Sequence, residues 1–272
     1  MSRLAARFNK LQARDRRALV TYITAGDPAP QSTASLLHVL AEAGADILEL
    51  GVPFSDPTAD GPAIQAAHER ALAHGVRLTD VLDMVAEFRR RDDATPIVLM
   101  GYLNPIEAMG ATAFADAAAT AGVDGVIAVD LPPEEAGPLQ ALLRERDIDL
   151  IFLIAPTTTD SRIERIAKLA SGFIYYVSLK GTTGAGHLDT AAVAKRLADI
   201  HAHTDLPVAV GFGVRSGESA AALAPAADAV VVGSALIERI VAADNDAARC
   251  RAAADFVGEL RAALDSATAA PA

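Results

Sequence analysis

The sequence predicts a single (β/α)8 TIM barrel with an extra N-terminal helix and an extended loop after the second strand, and three observations carry that expectation. Short β-rich runs recur along the whole chain, bounded by Gly, Pro, Asp or Ser. Helical patterns lie between them, and a chain that alternates strand with helix builds a parallel sheet. Eight such units fall within 272 residues, a number and length that suit closure into a ring. The rival architecture is a doubly wound open sheet, whose first strand leads into G-x-G-x-x-G; here the first strand leads into TAGDPAP.

The chain opens on MSRLAARFNKLQARDRR, which is basic and loosely amphipathic through Leu4, Phe8 and Leu11. A transit peptide has a similar look, but strand-like sequence follows at once, so we read a first helix packed on the domain. The strands are ALVTYITAG (18–26), ILELG (47–51), PIVLMGY (96–102), GVIAVD (125–130), DLIFLIAP (149–156), FIYYVS (173–178), VAVGFG (208–213) and AVVVGS (229–234). Segments such as TASLLHVLAEAG, PIEAMGATAFADAAATAG and DSRIERIAKLA supply the helices between them. The second and third strands are farthest apart, separated by a Pro- and Asp-rich loop and helices near IQAAHERALA and TDVLDMVAEFRR. Extra length directly after a barrel strand marks a functional loop at the C-terminal mouth. The barrel is expected over 1–265, with a frayed tail over 266–272.

Composition narrows the function. Apolar residues make up 51% and aromatics 4%, which suits aliphatic strands beneath Ala-rich helices, and no apolar run reaches the roughly 18 residues of a membrane helix. A net charge of −11 argues against a nucleic-acid partner. The single cysteine, Cys250, excludes an intrachain disulfide and fits a reducing compartment, and without a secretory segment the expected location is cytoplasmic. No metal site is expected.

The stretch LELGVPFSDPTADGP (48–62) then poses the functional question, because an apolar strand carries a carboxylate, Glu49. Alternation puts Ile47 and Glu49 on one face and Leu48 and Leu50 on the other. The leucines suit the helix-covered outside, so Glu49 points into the barrel near its mouth. None of the eight strands contains Lys or Arg, so a buried ion pair would need a partner from a loop. A carboxyl desolvated without a cation has a raised pKa and suits proton donation near neutral pH. Asp60 is read two ways: as the second member of an acid–base pair, or as the N-cap of the helix that Gly61-Pro62 begins. Asp56, in Ser-Asp-Pro, reads as a turn residue.

Other residues converge on the same end of the ring. Tyr22, Met100, Ile127, Leu153, Tyr175 and Phe212 lie toward strand C-termini and together suit an apolar pocket that accepts an aromatic ligand. Gly211-Phe212-Gly213 ends the seventh strand, Gly233-Ser234 ends the eighth, and Gly184-Ala185-Gly186 follows the sixth. Glycines after the last two strands of a barrel, each before a helix, form the recurrent phosphate corner. Backbone N–H groups there reconcile an acidic protein with an anionic substrate.

These residues resemble the family of tryptophan synthase α subunits, over nearly the whole chain. The likeness is most specific at Leu48-Glu49-Leu50-Gly51-Val52-Pro53-Phe54-Ser55-Asp56-Pro57 and Ala59-Asp60-Gly61-Pro62. It continues at Tyr175-Tyr176-Val177-Ser178, Thr183-Gly184-Ala185 and Gly211-Phe212-Gly213-Val214. The resemblance implies a lyase of tryptophan biosynthesis that splits indole-3-glycerol phosphate into indole and glyceraldehyde 3-phosphate. It assigns Glu49 as proton donor and Asp60 as stabiliser of charge at the indole nitrogen. Tyr175, Phe212 and Met100 then sandwich the ring, Tyr22, Ile127 and Thr183 are further substrate-binding residues, and Gly184, Gly213, Gly233 and Ser234 fall at phosphate-binding positions. The resemblance also implies no cofactor of the chain's own and an α2β2 heterotetramer with a pyridoxal-phosphate β subunit. Asp56, Pro57, Asn104 and Pro132 are the residues expected to face that partner. Tyr22 and Met100 stand where the family more often has Phe and Leu, which implies a slightly more polar and more pliable pocket.

Two other functions compete with this reading. A Schiff-base aldolase would use Lys180, the one lysine of four that follows a strand at a mouth. A non-catalytic, partner-binding barrel would have no use for Glu49, Asp60 and the glycine set.

Overall fold

The structure is a computed structural model and describes residues 2–177, 190–211 and 213–269. Its strands are β1 (Ala18–Thr24), β2 (Ile47–Gly51), β3 (Ile97–Gly101), β4 (Gly125–Ala128), β5 (Asp149–Leu150), β6 (Phe152–Ile154), β7 (Ile174–Val177), β8 (Val208–Gly211) and β9 (Ala229–Val232). The ladder runs β5-β4-β3-β2-β1-β9-β8-β7-β6 with every pair parallel. β5 and β6 are the two halves of the expected fifth strand, interrupted at Ile151, whose N–H still donates to the Val126 carbonyl at 2.9 Å. One half pairs with β4 and the other with β7, so the ring of eight strand positions closes through this segment.

The two faces of the strands sort as alternation requires. Leu48 and Leu50 belong to the outer core with Leu37, Phe88 and Leu99, under the helices. Ile47 belongs to the inner core with Val20, Val98, Ile151 and Phe173. The helix Arg3–Gln12 joins that inner core through Leu4, Phe8 and Leu11, and the Phe8 and Phe173 rings lie 5.8 Å apart. It plugs the end of the barrel opposite the mouth. Burying each of these side chains contributes about 1.5–3 kcal/mol. Asp124, almost fully buried, fixes the plug by accepting from Arg3 at 2.8 Å and from Arg89 at 2.6 Å.

Several boundaries differ from the sequence reading. The strands that start at 125, 208 and 229 stop two residues short of the expected ends, where the chain leaves the ladder to build the mouth. Tyr102, expected inside the third strand, lies just past β3 and heads the helix Leu103–Met109. The segment read as one helix from Pro105 onward is two, Leu103–Met109 and Ala111–Ala121, because Gly110 adopts φ +91° between them. The tail expected to fray from 266 instead extends the helix Asp246–Ala269, and Leu264 near its end is fully buried. Among the described residues no helix is long and apolar enough to cross a membrane.

Candidate active site

β2 sets the first carboxylate. Glu49 sits opposite Tyr22 of β1 on one side and Val98 of β3 on the other, facing the barrel interior. It is 1% exposed, and neither carboxylate oxygen has a hydrogen-bond partner among the described residues. Burial without a partner, with the negative charge of Asp60 as a second cause, pushes its pKa up to about 8. The protonated form is therefore the resting form at neutral pH, as the absence of basic residues in the strands leads one to expect.

Asp60 reaches the same mouth from the loop after β2. The N-cap alternative is not met: Gly61 occupies that position of the helix Pro62–Ala73, and no side chain caps it. The Asp60 carboxylate turns inward, with its side chain 6% exposed. Tyr102 Oη donates to Asp60 Oδ2 at 2.9 Å and accepts the Ala59 N–H at 3.0 Å. His68 Nε2 faces the same Oδ2 at 3.5 Å. The loop backbone is tied down as well, because Gln65 Nε2 donates to the Asp60 carbonyl at 2.8 Å. Phe54 stacks on Tyr102 with ring centroids 4.8 Å apart.

Between Glu49 and the glycine corner lies a cavity of about 280 Å³ bordered by Tyr22, Glu49, Met100, Tyr175, Gly213 and Gly233. Its wall is made partly by absent side chains: a Cβ on Gly211 would come within 2.5 Å of Tyr175, and one on Gly51 would overlap the Tyr22 ring. Tyr22 and Tyr175 are buried, and burial first, then neighbouring carboxylates, raises both phenols well above their ordinary pKa, so they titrate in no physiological range. At the far side, Gly213 adopts φ +43° and Ser234 begins the helix Ser234–Val241. The first-turn N–H groups of Ser234 and Ala235 have no intrahelical acceptor and border the cavity, a ready anion cradle.

The structure thus brings Glu49, Tyr22, Met100, Tyr175, Gly213, Gly233 and Ser234 to one cavity; Asp60 does not itself border it, but its neighbour Gly61 does, and its charge is felt by Glu49. Ile127 is 1% exposed and belongs to the inner core with Val98 and Ile151; it does not border the cavity. Thr183, Gly184, Phe212 and Lys180 lie outside the described residues. Of the residues expected to face a partner, Asp56 and Asn104 are exposed and Pro57 and Pro132 half-buried; Asp56 and Pro57 lie on the loop after β2, Asn104 in the helix Leu103–Met109 after β3, and Pro132 on the loop after β4. Sequence reasoning missed Tyr102, His68 and Ile64 as site residues. Ile64 and His68 share a helix face at i, i+4, and a histidine on that face was the available signal. It also missed Arg215, which borders the cavity while its guanidinium pairs with Glu238 at 2.5 Å.

The comparisons with known proteins agree with one another. The family model described as tryptophan synthase alpha chain matches residues 8–265. The tryptophan synthase alpha chain of Thioalkalivibrio sulfidiphilus is 58% identical over 97% of this chain and 100% of its own length. The crystal structure of tryptophan synthase subunit alpha from Legionella pneumophila superposes with a TM-score of 0.91 at 44% identity, covering 98% of this chain and 99% of that one. A chain of tryptophan synthase from M. tuberculosis, in an aminoacrylate-bound form, superposes with a TM-score of 0.87 at 36% identity, covering 97% and 100%. The family model, a curated relative and the solved barrels all point the same way: the chain belongs to the tryptophan synthase alpha chain family.

Proposed function

We propose that Glu49 and Asp60 carry out in this chain the lyase reaction of its family, the retro-aldol cleavage of indole-3-glycerol phosphate to indole and glyceraldehyde 3-phosphate in tryptophan biosynthesis. The observation that carries the residue assignment is the fully buried, unpartnered Glu49 carboxyl, with a pKa near 8, at the head of a cavity whose other end is a backbone anion cradle.

Neutral Glu49 gives its proton to C3 of the indole ring. Positive charge then develops at the ring nitrogen, where the Asp60 carboxylate opposes it. Glu49, now a carboxylate, takes the proton of the hydroxyl on the adjacent glycerol carbon. As that C–O becomes a carbonyl, the C–C bond breaks and its electron pair returns to the ring, releasing indole and the aldehyde. A pKa near the working pH lets one group serve as acid and then base. Tyr175 and Met100 flank the ring, while Gly213, Gly233 and Ser234 hold the phosphate through backbone N–H groups. Thr183, Gly184 and Phe212 complete this assignment by resemblance.

Partner binding belongs to the same reading. A β subunit seated over Asp56, Pro57, Asn104 and Pro132 would cover the mouth from which indole leaves, in an α2β2 assembly whose pyridoxal phosphate resides in the partner. That a chain superposing on this one belongs to a structure of tryptophan synthase from M. tuberculosis supports a partner in general, while the residues it would cover and the α2β2 stoichiometry rest on the resemblance.

The test is steady indole release from indole-3-glycerol phosphate by the purified chain, which contains no Trp to mask indole fluorescence. We expect turnover in the wild type and its loss in Glu49→Gln with substrate binding retained. Substantial turnover in that variant overturns the role of Glu49. Borohydride trapping of a substrate adduct would instead favour a Schiff-base lysine.

A further inference from the structure

His68 is a buried titratable group that the proposed reaction does not use. It is 2% exposed, on the helix Pro62–Ala73, and its two ring nitrogens face different parts of the loop after β2. The Phe54 N–H donates to Nδ1 at 3.1 Å, so Nδ1 is the acceptor. In the neutral ring the proton is then on Nε2, and Nε2 is the atom that faces Asp60 Oδ2 at 3.5 Å. The hydroxyl of Tyr102 approaches that same oxygen from β3's end of the mouth. One oxygen of Asp60 therefore accepts from the Tyr102 hydroxyl and is faced, at a longer 3.5 Å, by the His68 imidazole from a different element.

We propose that His68 is a positioning residue for the lyase reaction: through Nε2–H it holds Asp60 Oδ2, so that the other carboxylate oxygen is presented to the N–H of the indole ring. The Phe54 N–H fixes the tautomer that makes this possible, in the way that a buried partner fixes the tautomer of a catalytic or metal-binding histidine. The loop is thereby fastened at its start by Phe54 and at its catalytic end by Asp60, with one imidazole between them. A separation of 3.5 Å is long for a hydrogen bond, and a few tenths of an ångström would bring it into range. Catalytic contacts of this kind tighten when substrate fills the site. The inference rests on the assignment of Asp60 in the proposed reaction.

Three substitutions separate positioning from packing. His68→Leu keeps bulk and loses both contacts. His68→Asn keeps an acceptor within reach of the Phe54 N–H but falls short of Asp60. His68→Gln places an amide N–H near the position of Nε2. We expect kcat for indole release to fall about tenfold in His68→Leu and His68→Asn, with KM within about twofold, and to recover most of the loss in His68→Gln; tenfold corresponds to ~1.4 kcal/mol of transition-state stabilisation. In an Asp60→Asn background the same substitutions should cause no further loss of kcat. A thermal melt of each protein accompanies the kinetics. If His68→Asn matches wild type while His68→Gln does not, the residue serves Phe54 alone and the proposal is wrong. Equal kcat in all three variants overturns it as well. Wild-type kcat in Asp60→Asn itself would instead overturn the role of Asp60, a separate failure.

Discussion

The hydroxyl of Tyr102 sits between the Asp60 carboxylate, to which it donates at 2.9 Å, and the Ala59 N–H, from which it accepts at 3.0 Å. The two residues are 42 apart in sequence and come from different loops at the mouth. Tyr102→Phe removes both hydrogen bonds at once while leaving the ring stacked on Phe54. A charged acceptor is involved, so folding stability should drop by about 1–3 kcal/mol. Because Asp60 loses the donor that orients it, kcat should drop by about tenfold, with KM little changed. Steady-state kinetics and urea unfolding of the same preparation check both. Unchanged kcat beside reduced stability would make the bond a loop staple with no bearing on catalysis.

Glu49 gives a pH prediction with a definite sign. Its pKa is near 8 in the folded chain against 4.5 for the free group, with burial the main cause. The folded state thus keeps the proton longer than the unfolded state. The stability linked to this group is fully present below about pH 4.5 and is lost as pH rises through about 8. Glu49→Gln cannot titrate, so its advantage over wild type should grow across that window by up to ~1.4 kcal/mol per pH unit. Over the same range wild-type kcat should hold below about pH 8 and fall above it, as the donor proton is lost. Urea unfolding of both proteins at several pH values, with a pH–rate profile of the wild type, checks the pair. Parallel stability curves would mean that Glu49 titrates normally.

Much of this site was legible because it obeys short-range rules. Period-two alternation in Ile47-Leu48-Glu49-Leu50 sent Glu49 into the barrel, and the lack of a strand cation left its carboxyl unpaired. Gly233-Ser234 signalled by the same local logic the helix start that borders the cavity. What could not be read depends on distant loops meeting. Nothing near Asp60 in sequence indicates that Tyr102 will draw its carboxylate inward, so the residues alone leave an N-cap open. His68 becomes informative only when Phe54 and Asp60 are seen on its two sides. Ile127 lies away from the cavity for a simpler reason: alternation shows that a side chain points inward but not how deep in the barrel it stops.

The anion corner should respond to bulk more than to charge. Gly213 adopts φ +43°, a backbone conformation that β-branched residues avoid, and it borders the cavity. A Cβ on Gly233 would come within 3.3 Å of Tyr22. Gly213→Val or Gly233→Val should therefore raise KM for the phosphorylated substrate about tenfold or more, by pushing the phosphate away from the N–H groups. The check is KM for indole-3-glycerol phosphate in each variant. Unchanged KM in both would move the phosphate elsewhere in the molecule.

Pro57 connects the exposed face of the mouth to the Asp60 carboxylate. Its carbonyl accepts the Asp60 N–H at 3.1 Å and the Gln65 amide at 3.4 Å, and the same amide holds the Asp60 carbonyl at 2.8 Å. Asp56 next to it is exposed and engaged only locally, by the Ser55 hydroxyl at 2.6 Å and through its carbonyl by the Thr58 N–H at 2.8 Å. A partner that presses on Asp56 and Pro57 would thus act on Asp60 through a few short, ordered contacts. The loop then has two states, biased by substrate inside the mouth and by the partner outside it. Addition of a cognate β subunit should accelerate cleavage of indole-3-glycerol phosphate by this chain. Pro57→Gly keeps the carbonyl and removes no acid or base, but it frees the backbone that transmits the push. It should reduce the activation factor more than it reduces the basal rate. Cleavage by wild type and Pro57→Gly, each with and without saturating β subunit, decides the matter. Equal activation factors for the two proteins, or no activation of the wild type, would show that the loop does not couple the partner to Asp60.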